Sequence, residues 1–235
     1  MISIVTGTLN RVGMLPTLIA NTVMSDERLE LVLVDGGSTD GTINYIKELN
    51  HPQIKLIEVG GRSSYPHFMN LGIREATHEV ICQWNDDVIL ANDWSEVFVE
   101  LQSDHDFYLF NWKYGTYEDV KNPQWLEGVD HTKGWCLCNV AASGGEIVMN
   151  YGLYRKKIFR EIGMYNPEYE YYCADGDMAH RAYHFGYKVK DLRHIRVCSL
   201  PAAKVAISHS KDHQIYQKNM SLHKEKILPE GLQYL

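Results

Sequence analysis

Two adjacent carboxylates, Asp86 and Asp87, stand between two apolar runs, Val80-Ile81-Cys82 and Val88-Ile89-Leu90. The stretch reads as a buried strand that runs into paired charges and then turns apolar again. Like charges side by side repel, and water or a cation relieves them. Strand ends in an open α/β sheet are also where ligands bind. The pair therefore reads either as a solvated acidic turn or as a site for a divalent metal that in turn holds a phosphate. Hard oxygen ligands suit Mn2+ or Mg2+.

The elements that must position this pair alternate along the chain. Ser3 to Thr8 reads as a buried first strand. Leu15, Leu18, Ile19, Thr22 and Val23 fall at helical spacing, with Pro16 near the start. Leu29 to Asp35 is an apolar, β-branched strand covered on both faces. Gly36 to Thr42 is a glycine turn feeding helix-capping residues. Ile43, Ile46 and Leu49 continue as a helix face, Ile54 to Val59 is a third strand, and Pro66 to Ala76 a further helix. Strand-helix alternation of this kind is the pattern of a largely parallel sheet with helices on both faces.

Beyond the carboxylate pair, a helix begins near Asp93 and carries Trp94, Val97, Phe98 and Leu101, and Phe107 to Trp112 is a strand. Residues 113–146 lose periodicity and read as an irregular surface segment, a common home for function. Ile147 to Tyr154 reads as a strand. Helices are expected over Arg155 to Ile162 and Asp175 to Phe185, each stopped by a glycine. Tyr187 to Val189 and Ile195 to Cys198 read as two strands, and Lys211 onward as a polar tail or edge helix.

Composition narrows the function. The 235 residues carry 23 Lys and Arg against 30 Asp and Glu, a net charge of −7. That argues against a large basic face and against nucleic-acid binding. No run approaches the roughly 18 apolar residues of a membrane span. Met1 leads straight into the first strand, without the basic and apolar regions of a signal peptide. Five scattered cysteines do not form a disulfide framework, and Cys136-x-Cys138 is too tight for ordinary zinc spacing. The expected location is the cytoplasm, including a membrane surface reached through a partner. Fifteen tyrosines and five tryptophans offer flat faces for sugars and bases as well as core material.

Four segments in this order resemble the GT-A nucleotide-sugar glycosyltransferases, most closely the inverting glycosyltransferase family 2. Ser3-Ile4-Val5-Thr6-Gly7-Thr8-Leu9-Asn10-Arg11 is like that family's opening strand and base-binding loop. Leu33-Val34-Asp35-Gly36-Gly37-Ser38-Thr39-Asp40-Gly41-Thr42 is close to its V-D-D-G-S-T-D-G-T. Trp84-Asn85-Asp86-Asp87 stands at its D-x-D-D metal motif. Tyr172 to Arg181 is like its E-D-x-D-x-x-x-R segment. The resemblance covers residues 2–210, and acidic positions of the pattern are Gly36, Trp84 and Ala174 here.

The resemblance implies one GT-A domain over residues 1–210. Its nucleotide-sugar half is 1–111 and its acceptor half 112–210, with 211–235 a tail or edge helix. It implies transfer of a hexosyl group, with inversion, from a nucleotide-diphosphate sugar, a UDP-sugar first, to a hydroxyl of a glycan or other acceptor. Thr6, Thr8, Arg11, Asp35, Ser38, Asn70 and Asp86 are implied nucleotide-sugar contacts, with Arg62 on the same side. Asp86 and Asp87 are implied metal ligands, completed by diphosphate, water and His209. Asp175 is implied as general base, with Asp177 as fallback. Two residues apart on a helix, these two point about 200° apart and cannot serve one acceptor equally. The spacing of Asp177 and Arg181 alone suits a salt bridge. Trp135, Gly144 and Gly145 are candidates to shape the acceptor pocket.

Two other functions compete. A sugar-nucleotide pyrophosphorylase would need a glycine-rich loop with a lysine after the first strand, where this chain has Thr8-Leu9-Asn10-Arg11. A catalytically degenerate nucleotide- or carbohydrate-binding domain fits the missing acidic residues at 36, 84 and 174.

Overall fold

A computed structural model describes residues 1–121, 151–201 and 210–235. In chain order its elements are β1 (Ile2–Thr8), α1 (Leu15–Asn21), β2 (Leu29–Asp35), α2 (Thr42–Leu49), β3 (Ile54–Glu58), α3 (Tyr65–Glu75), β4 (Val80–Gln83), β5 (Val88–Leu90), α4 (Trp94–Glu100), β6 (Phe107–Tyr114), α5 (Tyr117–Lys121), β7 (Gly152–Arg155), α6 (Lys156–Ile162), α7 (Ala174–His184), β8 (Val189–Ser199) and α8 (Ser210–Lys224).

The strands form one sheet in the order β3-β2-β1-β4-β7-β6-β8-β5. The half from β3 to β4 is parallel, whereas β7 runs against both β4 and β6, and β5 runs against β8. The order 3-2-1-4 means that the chain reverses its direction of travel across the sheet between β1 and β4. That is the switch point at which open α/β sheets bind ligands.

Alternation along the central strands assigns the two faces. Ile4, Leu31, Leu33 and Cys82 point into one core with Leu15, Leu18, Trp84 and Trp94. Val5, Val32 and Ile81 point into another with Met69, Ile73, Phe159 and Met178. Side chains alternate with period two, so both faces of each central strand are buried and the strands read as continuous apolar runs. The second face is packed to backbone contact. A Cβ on Gly72 of α3 would lie 2.3 Å from Val5 Cγ1, so only glycine lets this helix lie on β1.

Three elements differ from the sequence reading. Val88–Leu90 is not a continuation of the preceding strand. It pairs with β8 at the far edge, which leaves Trp84 to Asp87 as a crossing loop. The two expected strands near 187 and 195 are one strand, β8. A register shift opposite Phe110 and Asn111 carries the polar interruption between Leu192 and Arg196. The expected strand before Tyr154 is described only from Gly152; the rest of it, and most of the irregular 113–146 segment, lies outside the described residues. No helix among the described residues is long and apolar enough to cross a membrane.

Candidate active site

Thr8 ends β1 and Gln83 ends β4, on either side of the switch point. A single hydrogen bond ties the gap: Thr8 Oγ1 donates to Asp86 Oδ2 at 2.8 Å. Arg11 Nε lies 3.8 Å from Asp86 Oδ1. The loop carrying Arg11 is latched to the glycine turn after β2. Asn10 N–H donates to Ser38 Oγ at 2.8 Å, Thr39 N–H to Asn10 Oδ1 at 2.8 Å, and Val12 N–H to Asp40 Oδ2 at 3.0 Å. Asn10 itself has φ 54°, a left-handed conformation that asparagine accepts in tight turns.

Asp86 and Asp87 open on a cleft of about 520 Å3 that also takes in Thr8, Arg11, Arg62, Gln83 and Asp175. Burial pushes the Asp86 carboxyl up to about 6, helped by the neighbouring Asp87 and opposed by Thr8 and Arg11. Burial also raises Asp87, against the pull of Arg11. Two desolvated carboxylates that share one guanidinium carry excess negative charge, which is the condition a divalent cation relieves. The oxygen donors of Asp86 and Asp87 therefore have the chemistry that suits a hard metal. No group of three or more metal-ligating side chains occurs among the described residues, and His209 lies outside them.

Asp175 reaches the cleft from the other half of the chain, at the second position of α7. The chain enters this helix through Cys173, whose φ of 64° is left-handed and strained for a residue with a side chain. Three hydrogen bonds hold the approach. The Asp212 carboxylate of α8 accepts the backbone N–H groups of Glu170, Tyr171 and Tyr172, each at 2.8 Å. Burial pushes Asp175 up to about 6, opposed by the Gly176 N–H and by a hydrogen bond from the Gln83 side chain.

Tyr65, Tyr151, Tyr171, Tyr172 and Trp112 supply aromatic walls to the same cleft. Tyr171 accepts a 3.0 Å hydrogen bond from Arg62 Nε, and the guanidinium lies 5.3 Å from its ring centre. Sequence reasoning passed over these tyrosines because nothing in their spacing separates a cleft wall from core.

Of the sequence-predicted residues, Thr8, Arg11, Asp86, Asp87 and Asp175 meet in the cleft, as does Arg62. Five others do not line it. Asp177 is fully buried behind α7, where its Oδ1 lies 2.9 Å from His223 Nε2 and accepts from Tyr169 and Asn219. It has no path to an acceptor, so the fallback base is withdrawn. Its contact with Arg181 is a loose 4.0 Å, because that guanidinium donates instead to the Met164 carbonyl at 2.6 Å. Asn70 is spent on the backbone of Tyr165, donating to its carbonyl and accepting its N–H. Asp35 is buried and caps its own turn, accepting from Gly37 N–H, Ser38 N–H and Ser38 Oγ. Ser38 is thereby committed to Asp35 and Asn10. The buried Thr6 hydroxyl donates to the Gly7 carbonyl. Trp135, Gly144 and Gly145 lie outside the described residues.

The three departures from the acidic pattern have local causes. A Cβ on Gly36 would lie 3.2 Å from the Phe68 ring, so a side chain there requires that ring to shift. Trp84 is fully buried, donates its indole N–H to the Val88 carbonyl at 3.1 Å, and packs against Trp94, Phe110 and Tyr151. Ala174 is buried in the second core. Acids at 84 or 174 would be charges without partners.

Sheet order, switch-point cleft and opposed carboxylates define a GT-A glycosyltransferase domain. The family model for glycosyl transferase family 2 matches residues 3–163. The chain belongs to that family. No curated protein matches it in sequence. Among solved structures it is similar to the mannosyltransferase PcManGT from Pyrobaculum calidifontis in complex with GDP-Man and Mn2+. The TM-score is 0.60 and the identity 17%, over 95% of this chain and 62% of that one. It is also similar to S. aureus TarS 1-349 with UDP-GlcNAc, at TM-score 0.65 and 16% identity, over 99% of this chain and 68% of that one. The same TarS fragment with UDP gives TM-score 0.60 and 15% identity, over 94% and 64%. The chain thus spans about two thirds of these relatives, and at such identities the likeness is one of fold.

Proposed function

We propose that the protein is a metal-dependent, inverting glycosyltransferase that moves a hexosyl group from a nucleotide-diphosphate sugar, a UDP-sugar first, to an acceptor hydroxyl. One observation carries the reading: Asp86 and Asp87, from the nucleotide half, and Asp175, from the acceptor half, line one cleft at the β1/β4 switch point. The Mn2+, GDP-Man, UDP and UDP-GlcNAc held by proteins of similar fold support the donor class and the metal.

Asp86 and Asp87 would hold the cation, Mn2+ or Mg2+, with Thr8 and Arg11 fixing the Asp86 carboxylate. The ion would supply Lewis-acid stabilisation to the departing diphosphate. Asp175 removes the proton of the acceptor hydroxyl as that oxygen attacks the anomeric carbon from the far side. The new carbon–oxygen bond forms as the bond to the diphosphate breaks. The electron pair leaves with the diphosphate and the proton stays on Asp175. Aromatic walls suit the apolar faces of sugar and base.

The test is transfer from UDP-, GDP- and dTDP-sugars with Mn2+, comparing wild type with Asp175→Asn and Asp87→Ala. Loss of a positioned base removes about 10²–10⁴-fold in rate. Full transfer by Asp175→Asn sinks the base assignment. A donor that binds without turnover makes the chain a binding domain.

A further inference from the structure

The cleft has an apolar corner as well as an acidic end. Leu9, from the loop after β1, and Phe68, from α3, line it beside Gly7. Two glycines make room for the Phe68 ring. A Cβ on Gly7 would lie 3.3 Å from Phe68 Cβ and Cδ2, and one on Gly36 would lie 3.2 Å from Phe68 Cζ. The ring therefore reaches from the end of β1 to the turn after β2. A Cβ on Gly36 would also lie 3.7 Å from Leu9 Cβ. Position 36 thus aims any side chain into this corner, between Leu9 and Phe68.

The polar groups around the corner are spent inside the fold. Asp35 Oδ1 accepts Gly37 N–H and Ser38 N–H, each at 2.8 Å, and Asp35 Oδ2 accepts the Ser38 hydroxyl at 2.5 Å. The Asp35 side chain is fully buried in doing so. Ser38 Oγ takes Asn10 N–H, and the Thr8 carbonyl takes Gly36 N–H at 2.9 Å.

A nucleoside diphosphate can use both ends of such a cleft. Its phosphates suit the end where Arg11 stands. Its base, with two π faces, suits Phe68 and Leu9. Stacking tolerates any base, whereas telling bases apart takes hydrogen bonds to their edges. Uracil N3 carries a proton and cytosine N3 a lone pair. A carboxylate in the corner would accept from the first and repel the second. Position 36, where the family pattern has an acid, is glycine here.

We propose that Phe68 is the stacking platform for the donor's base, and that Gly36 leaves the edge of that base unread, so that cytidine nucleotides bind as readily as uridine nucleotides. The proposal rests on the donor being a nucleotide-diphosphate sugar. A UDP-sugar is then one acceptable donor among several that differ in base, and the choice of donor passes to the sugar.

Calorimetric titration with UDP and CDP in Mn2+ tests it, because the two bases match in size and differ at the edge. Their dissociation constants should agree within about tenfold. Phe68→Leu should weaken both equally, by about fivefold or more, through lost stacking. Gly36→Asp should create a preference for UDP over CDP of about 10- to 100-fold, the usual yield of a hydrogen bond to a charged group. A merely structural role of either residue would not produce that gain. If the single variant does not fold against the Phe68 ring, Gly36→Asp with Phe68→Leu provides the room. A wild-type preference beyond about tenfold overturns the inference. So does Phe68→Leu with unchanged affinity or a loss confined to one nucleotide, and so does an aspartate at position 36 that leaves UDP and CDP equal. Failure of both nucleotides to bind the folded wild type is a different failure, that of the donor class.

Discussion

Asp177 of α7 and His223 of α8 meet at 2.9 Å in a fully buried pocket. Burial alone would raise the Asp177 carboxyl, but His223, Arg181 and Tyr169 hold it below the ordinary carboxylate range. The pair joins the last helix to the helix that carries Asp175. Gly176 brings the two helices close, since a Cβ there would lie 3.3 Å from the Tyr216 ring. Removing His223 takes one hydrogen-bond partner from a buried carboxylate that keeps Tyr169 and Asn219, which costs about 1–3 kcal/mol. His223→Ala should therefore lower the unfolding free energy by that order, measured by denaturant titration. A change under about 0.5 kcal/mol would mean that the pair does not hold the helices together.

Asp212 is the second tie from α8, and it acts on the strained entry to α7. Its three backbone acceptor contacts fix Glu170 to Tyr172, just before the left-handed Cys173. Strained conformations persist only where their surroundings over-determine them. Asp212→Ala should relax the turn, misplace Asp175, and reduce kcat by about 10-fold or more, since small misplacements of reacting groups are costly. Limited proteolysis should find new cleavage near 170–173. Unchanged kcat with unchanged protection would show that the turn holds itself.

The contrast between these ties and the cleft explains what could be read from sequence. Asp86, Asp87 and Asp175 were legible as cleft residues because they stand in segments that resemble the family 2 pattern, and the fold brings those segments to one cleft. The parallel half was legible because Leu31, Val32, Leu33 and Val34 must bury both strand faces. The C-terminal helix was not legible as part of the domain. Its inward face includes Asp212, Asn219 and His223, and polar residues paired with a distant partner look like a solvated surface in any periodicity. Asn70 and Asp35 failed similarly: each has a chemistry that suits a ligand, and each is used up by backbone within the fold.

The raised carboxyl of Asp86 implies a stability cost at the site. Its value is about 6 in the folded protein against 3.8 unperturbed. A carboxyl raised on folding contributes stability that is full below pH 3.8 and lost as pH rises through about 6. Asp86→Asn removes that penalty. In chelator, the variant should be more stable than wild type at pH 8 by about 1–3 kcal/mol, from roughly two units at 1.36 kcal/mol each. The gain should shrink below pH about 6 and vanish near pH 4. Added Mn2+ should raise the melting temperature of wild type and not of Asp86→Asn. Equal stability of the two proteins at pH 8 would mean that the Asp86 charge is already compensated.

The same burial sets the working range of Asp175. A general base must be ionised, and burial pushes this carboxyl up to about 6. With Mn2+ saturating, so that Asp86 stays ionised, the logarithm of kcat/KM should therefore fall with unit slope below pH about 6 and be flat above it, until another group titrates. The position of the limb also separates Asp175 from its helix neighbour, because Asp177 is held below the ordinary carboxylate range. A limb in or below the ordinary carboxylate range would rule Asp175 out as the base. At pH 8, where wild-type Asp175 is ionised, Asp175→Glu keeps the acid but moves it about one methylene too far into a cleft built for the shorter chain. It should retain partial activity at that pH, and Asp175→Asn almost none, since only the first can accept the acceptor's proton.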